Sequence, residues 1–395
     1  MGPSSYERLD AAVARGLLGV GLAHRVALAA RLAQTLPEAG PESVRTAVSG
    51  EALGRALGLS RAAVHKHVEQ LRSLGFAVEP VAGTGYRLER PFSDLVVAEA
   101  VLPLLLDIIP PGSLWTAGLP YRYLPRCDST NAVLKRVSTP TPPGTLVVTD
   151  EQTGGRGRLD RTWVSELGKD LTFSILLRPS LAPAQAHLLS LAAALAVAEV
   201  LETIPGLEGR VAVKWPNDVL LGDEKVCGIL LEGSMDADRL QWAVAGIGLN
   251  VNSAPSALVR GLAPEEAKVW MGKPTPVSLR EHLGRDVARG PLLAALLERL
   301  TSRWIGLEAE EERGLGSGEA GGVLAGLRQR DALAGRRVEV VSGPPQHSPV
   351  VAGEALGIGP EGQLLVRSAS GETVAVFAGD VTVRSAVRSR RVPMP

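Results

Sequence analysis

The chain has 395 residues, 42 Lys and Arg against 42 Asp and Glu, and no formal net charge. At about 100–200 residues per domain, that length predicts two to four domains, each able to bury a core. Hydrophobic residues at 45% and charged residues at 21% exclude wholesale disorder, and zero net charge excludes a generally basic nucleic-acid coat while leaving room for one local basic surface.

Two cysteines, Cys127 and Cys227, cannot build a disulfide framework or a Cys-rich zinc site. The N-terminus has no apolar core followed by a small-residue cleavage site, so a reducing cytoplasm is the expected compartment. The longest apolar stretch, 188–201, carries Glu199 and is too short for a bilayer core of about 30 Å. It predicts a buried helix, with no membrane partner.

In chain order, residues 1–23 read as a helical Ala/Leu/Arg-rich extension, and 24–92 as a winged helix-turn-helix. A first helix is expected over 25–34. Ser49 then caps a short helix 50–57 that Gly58 stops, and Ser60 caps a helix 61–74. In that last helix Val64, Val68 and Leu71 recur at i, i+4 and i+7 and face a core. The opposite face carries Arg61, Ala62, His65 and Lys66, which with Ser60 suit entry into a DNA major groove. Residues 76–80 and 86–88 flank Gly83-Thr84-Gly85 as a hairpin wing that sets Arg87 near phosphates. The same layout also serves winged helices that bind proteins. Residues 45–90 are only mildly basic, so DNA affinity would call for a dimer.

Prolines at 91, 103, 110, 111 and 120 punctuate the next stretch, with a boundary near 91–93. Residues 93–332 then read as a mixed α/β domain. Strands are expected at 145–149, 171–177, 211–215, 219–221, 225–232 and 241–246, and helices at 131–137, 184–203 and 291–307. Residues 308–322 are Glu/Gly-rich and read as a loose loop. From 333 to 388, short strands at 337–341, 350–358, 363–367 and 372–378 suggest an SH3-like β-barrel, and 389–395 a frayed tail. The fold class is therefore α+β and multidomain.

Three stretches carry chemistry. Asp128-Ser129-Thr130-Asn131 opens a helix, either as a plain N-cap or as a set of donors for a polar ligand head. Gly155-Arg156-Gly157-Arg158, with Arg161 and Trp163 close behind, lets backbone N–H groups and guanidinium forks converge on an anion. It lacks the Walker A pattern. Lys214-Trp215-Pro216-Asn217-Asp218 is followed, across a Gly222-Asp223 turn, by Lys225 and Gly228. Only 7 of the 42 basic residues are Lys, so two of them around one hairpin point to positions that need a compact ammonium. No metal-ligand spacing of histidines is present in this domain, and His187 reads as a packed or rim residue. Together these residues favour nucleotide-dependent activation of a carboxylate over hydrolysis or hydride transfer.

These motifs, together with Gly246-Ile247-Gly248-Leu249-Asn250, closely resemble those of biotin protein ligase, and the N-terminal module resembles that of the bifunctional form that is also the biotin operon repressor. The resemblance covers roughly residues 24–385. It implies a class II synthetase-like central domain that joins biotin to ATP, with Mg²⁺. The resulting biotinyl-5′-AMP gives up biotin to a lysine of the biotin carboxyl carrier protein of acetyl-CoA carboxylase. It also implies operator DNA as a partner and a homodimer when the adenylate is bound. By resemblance Ser129, Thr130, Asn131 and Gln152 meet the ureido end of biotin. Arg156, Gly157 and Arg158 close over biotin and the adenylate phosphate, and Trp163 packs on adenine. Lys225 contacts the carboxylate and the α-phosphate, near Gly228. Lys214, Asn217 and Asn250 serve the nucleotide. Asp218 joins Lys225, Arg158 and Lys214 in the catalytic set, and any Mg²⁺ lies near it rather than in a protein-only cage. Alternatives are a biotin ligase with a structural N-terminal module, a biotin-sensing regulator without transfer, or a lipoate ligase. The chain departs from family patterns at Leu159-Asp160, at Cys227, where Ala is frequent, and at Gly379-Asp380-Val381, where Gly-Glu-Val is usual.

Overall fold

A computed structural model describes residues 3–36, 46–108, 118–159, 161–236, 239–256, 274–312, 322–341 and 351–383. The chain divides into two compact units: Met1–Gly155, Val164–Leu177 and Asp286–Thr301 form the first, and Arg156–Trp163, Arg178–Arg285 and Ser302–Pro395 the second.

The first unit begins with α1 (Pro3–Ala14) and α2 (Val20–Ala33). Helix α1 is packed rather than loose: Arg8 donates to the Leu106 carbonyl at 2.5 Å, and the Arg31 guanidinium lies 5.5 Å from the Tyr6 ring centre. The first winged-helix helix therefore starts five residues earlier than expected, because Gly19 caps a run that is already apolar at Val20. Next come α3 (Gly50–Leu57) and α4 (Arg61–Ser73). Ser49 Oγ accepts the Ala52 N–H at 3.0 Å and Ser60 Oγ the Ala63 N–H at 3.2 Å, as the caps predicted. Gly58 takes the left-handed conformation, φ 66°, that ends α3. Val64, Val68 and Leu71 are buried with Leu28, Leu32, Leu53 and Phe76. The wing pairs β1 (Val78–Val81) with β2 (Gly85–Leu88) in antiparallel register Val78↔Leu88. Gly85 has φ 144°, and a Cβ there would lie 2.6 Å from Ser49 Cα, so only glycine fits.

Helix α5 (Ala98–Ile108) lies in the proline-punctuated stretch, where no helix was expected. Pro103 inside it costs about 3 kcal/mol. Val101, Leu102, Leu105 and Leu106 are fully buried, and at about 1.5–3 kcal/mol each they outweigh it. Strand β3 (Tyr121–Cys127), helix α6 (Thr130–Arg136) and strand β4 (Leu146–Gln152) form a parallel crossover, and β5 (Leu171–Leu177) joins β4 antiparallel. The sheet is thus mixed. Every residue of β5 is buried, which explains why it is apolar apart from Thr172 and Ser174.

The second unit carries α7 (Ala186–Glu202), preceded by a 3₁₀ turn. With that turn the helix spans 20 residues, long and apolar enough to cross a membrane by length and composition, which corrects the expectation that it is too short. It is the core helix here: 67% of its apolar window is buried, and Glu199 pairs with Arg303. Strands β6 (Val211–Lys214), β7 (Asp218–Leu221), β8 (Glu224–Met235) and β9 (Leu240–Leu249) follow as an antiparallel ribbon. A short helix covers Leu279–Leu283. The helix Arg289–Glu312 runs on through residues expected to be loop, and Val323–Arg328 is helical; 313–321 lie outside the described residues. The end of the chain is an antiparallel sheet of β10 (Arg337–Val341), β11 (Val351–Ile358), β12 (Leu364–Ser368), β13 (Thr373–Val376) and β14 (Asp380–Val383), ordered β13-β12-β11-β10-β14. Trp215 donates to the Gly362 carbonyl at 3.0 Å, and Arg328 to those of Ile358 and Gly359, fixing this sheet's β11–β12 turn. His187 is a rim residue, with ring nitrogens 2.9 Å from Ala184 O and 2.8 Å from Glu361 O. Asp160 and the tail 384–395 lie outside the described residues.

Candidate active site

In the first unit, Ser129 caps α6, its Oγ accepting the Ala132 N–H at 3.4 Å. Thr130 donates its N–H to Gln152 Oε1 at 2.9 Å and its hydroxyl to the same oxygen at 3.2 Å. That fixes the Gln152 amide with Nε2 as a remaining donor. Ser129, Thr130 and Asn131 are buried. Asp128 turns outward to pair with Arg136, whose guanidinium holds its carboxyl below the usual range. Sequence reasoning missed Ser174. Its Oγ is 2.6 Å from both Thr130 Oγ1 and Asn131 Oδ1, and the residue is 0% exposed. A serine inside a largely apolar strand was the available signal, because a buried hydroxyl must find partners.

In the second unit, Lys225 Nζ lies 2.5 Å from Asp218 Oδ1. Lys214 is buried, and burial lowers its pKa while Asp218 and Asp380 oppose the shift. Arg158 donates to Asn217 Oδ1 at 3.2 Å and to the Gly379 carbonyl at 3.1 Å, and burial lowers its pKa as well. Asn217 Nδ2 donates to Ile229 O at 2.7 Å. The Gly157 N–H donates to the Arg161 carbonyl at 2.7 Å and closes the loop, with Leu159 at φ 53°. For a non-glycine residue that conformation costs about 1–2 kcal/mol. Arg161 pairs with Asp380, so a segment that sequence reasoning carried over only weakly holds two arginines of the loop. Arg156 is exposed.

Trp163 lies over two glycines. A Cβ on Gly248 would be 2.5 Å from Trp163 Cζ2, and one on Gly228 3.1 Å from Cζ3. The Lys225 ammonium is 5.8 Å from the same ring. Trp163 Nε1 is buried without a hydrogen-bond partner among the described residues, a donor free for a ligand. Asn250 is buried, and its Nδ2 donates to Val277 O at 3.1 Å. Cys227 is buried, which raises its thiol pKa, and it packs.

On the winged helix, Ser60, Arg61, Ala62, His65 and Lys66 are all exposed. His65 Nδ1 is 3.2 Å from the Tyr86 hydroxyl, joining α4 to the wing. Arg87 is held by Glu89 at 2.5 Å and Glu79 at 3.7 Å, so a phosphate would have to displace carboxylates to reach it.

The Biotin/lipoate A/B protein ligase family matches residues 123–250, and an HTH domain matches 43–87. The bifunctional ligase/repressor BirA of Escherichia coli (strain K12) is 33% identical over 338 residues, 86% of this chain and 93% of the relative. The chain belongs to the biotin protein ligase family, in its bifunctional ligase/repressor form. BirA of Bacillus subtilis (strain 168) is 34% identical over 251 residues, 63% of this chain and 71% of that one. The biotin protein ligase from Aquifex aeolicus, solved in complex with biotin and ATP, is 29% identical with a TM-score of 0.50 and covers 67% of this chain and 98% of its own.

Proposed function

We propose that the chain joins biotin to ATP, giving biotinyl-5′-AMP and pyrophosphate, and passes the biotinyl group to one lysine of the biotin carboxyl carrier protein of acetyl-CoA carboxylase. The observation that carries this reading is the cation cluster. Arg158 is held by Asn217 and the Gly379 carbonyl, Lys225 by Asp218 with Trp163 beside it, and Lys214 is buried under the field of Asp218 and Asp380. A carboxylate attacking an α-phosphate brings two anions together, and fixed cations stabilise the charge that builds up. In this reading Lys225 bridges the biotin carboxylate and the α-phosphate, with Asp218 as its partner before the ligand arrives. Lys214 and Asn217 serve the nucleotide, and Arg156, Gly157 and Arg158 cover the adenylate and keep water from the mixed anhydride. Ser129, Thr130, Asn131 and Gln152 hold the ureido ring, Gly228 and Asn250 border the pocket, and Trp163 packs on adenine. The free Gln152 Nε2 suits a ureido carbonyl better than the apolar head of lipoate.

Among the described residues no group of three His, Cys, Asp or Glu is placed to hold a metal ion. In this reading Mg²⁺ would arrive with the nucleotide, near Asp218, and would neutralise phosphate charge.

The same chain acts as a biotin-responsive repressor. Its adenylate favours a homodimer that sets two winged helices on operator DNA, through Ser60, Arg61, Ala62, His65, Lys66 and Arg87. The domains in this reading are an extension (1–23), a winged helix (24–92), a ligase domain of the class II synthetase-like type (93–332), an SH3-like sheet domain (333–388) and a tail (389–395), in a cytoplasmic protein. Incubation with biotin, ATP, Mg²⁺ and a carrier domain is expected to label one carrier lysine, and a carrier left unlabelled overturns the ligase. A mobility shift on the promoters of the protein's own biotin genes, with and without biotin and ATP, tests the repressor; deletion of residues 1–92 tests a purely structural N-terminal module.

A further inference from the structure

Arg289, at the start of the helix Arg289–Glu312, has a side chain only 5% exposed. Its fork is filled from three segments of the first unit. Nε donates to Asp94 Oδ1 at 3.1 Å and Nη2 to Asp94 O at 2.9 Å. Nη1 donates to Asp150 Oδ1 at 2.8 Å and to Asp170 O at 3.2 Å. A buried guanidinium is costly unless every face of it is bonded, so these three segments are fixed to one another through it.

Each segment leads somewhere. Asp150 lies on β4, two residues before Gln152, and Asp170 immediately precedes β5, which carries Ser174. Asp94 lies between Phe92 and Leu95, both packed against the winged-helix core. The neighbouring Gly290 N–H donates to Ser93 O at 2.8 Å, and a Cβ there would lie 2.9 Å from Ser93 O and Leu95 O. A second arm reaches the same core: Tyr123 packs against it and donates its hydroxyl to Asp150 Oδ2 at 2.6 Å. Burial, and then the bond to Asp150, push the Tyr123 phenol well above its ordinary range, so it remains a donor.

We infer that Arg289 is a positioning residue that sets the strands bearing Gln152 and Ser174 and ties them, through Asp94, to the linker after the wing. The inference rests on the biotin reading of the Thr130 cluster. Two sites that share one clamp bias each other's equilibria reciprocally, so biotin in the head cluster stiffens the linker, and a loosened linker weakens biotin binding.

The test uses the full chain and Asp94→Ala. Asp94 is 62% exposed, so its removal strands no buried carboxylate, and Arg289 keeps Asp150 and two bonds to the carbonyls of Asp170 and residue 94. The KM for biotin is expected to rise about fivefold or more with kcat within about twofold. Amide hydrogen exchange at residues 92–97 is expected to slow on biotin binding in the unaltered chain and to lose that response in the variant. Arg289→Lys, which keeps one charge and loses the fork, is expected to raise the KM further. An Asp94→Ala protein with unaltered biotin KM and intact linker protection overturns the inference while leaving the ligase standing. An unaltered chain that binds no biotin overturns the ligase reading itself, and this inference with it.

Discussion

Ser129, Thr130, Asn131, Gln152 and Ser174 are neutral groups bonded largely among themselves, whereas Arg158, Lys214 and Lys225 are cationic, Arg158 resting on Asn217 and a carbonyl and Lys225 on Asp218. The first cluster is finished before any ligand arrives. Its internal bonds are worth about 0.5–1.5 kcal/mol each and need only preserved geometry. On the proposed function the second cluster is provisional, because Arg158 and Lys225 have partners that a phosphate would replace. On the proposed function recognition and chemistry are separated: one set would fix which head group enters, and the other would change partners as charge develops.

The largest effect expected from this contrast is that of Lys225→Ala. Loss of one fixed cation at the developing charge should slow adenylate formation by about 10²–10³-fold or more, read as single-turnover pyrophosphate release. Biotin binding, read by calorimetry, should fall far less. Equal losses in both would erase the division of labour between the clusters.

Gly248→Ala is expected to come next. The added Cβ meets Trp163 at 2.5 Å, and overpacking of this kind typically costs about 1–3 kcal/mol. ATP affinity should drop about 5–150-fold by that arithmetic, as Trp163 is displaced from adenine. Ser174→Ala removes the hydroxyl shared by Thr130 and Asn131, leaving one buried acceptor short at about 1–3 kcal/mol. Its loss should appear in the KM for biotin with kcat kept. A kcat defect instead would mean that the head cluster takes part in the chemistry.

The two clusters were unequally legible in the sequence, for physical reasons. A cap is a local event, so Ser49, Ser60 and Ser129 could be read from their neighbours, and each caps the expected helix. Lys214 and Lys225 stood out against an arginine-rich background, and the β6–β7–β8 ribbon brings Lys225 to Asp218 over a short separation. Ser174 lies 44 residues from Thr130 and Gly379 lies 221 from Arg158, and no local pattern encodes such pairings. Strand β3 was missed because it alternates Tyr and Arg around a proline, and α5 because Pro103 masks a helix whose stability comes from tertiary burial.

The pH response of Lys214 separates stability from activity. Burial lowers its pKa from the ordinary 10.5, so the protonated form is disfavoured in the folded chain. The stability penalty is fully present below the folded pKa, fades as pH rises through it, and is gone above 10.5. Adenylate formation needs the ammonium and should fall over that same interval. The alkaline limb of kcat/KM is therefore expected below 10.5, while stability contributed by this group rises. A limb at or above that value removes Lys214 from the phosphate set.

Asp380→Asn should produce the smallest change. Its pair with Arg161 is part-exposed, at 27% and 41%, and such bridges contribute about 0–1 kcal/mol. The melting midpoint should barely move. Yet Asp380 is also one of the carboxylates that oppose the effect of burial on Lys214. Removing its charge should shift the alkaline limb of adenylate formation to lower pH and free Arg161 for phosphate, so that the KM for ATP falls modestly as measured at neutral pH. Both shifts should shrink in high salt, because the carboxylate acts through a partly solvated path. An Asp380→Asn limb that stays in place would mean that Lys214 is governed by Asp218 alone, and the cation cluster would then be narrower than its contacts with β14 suggest.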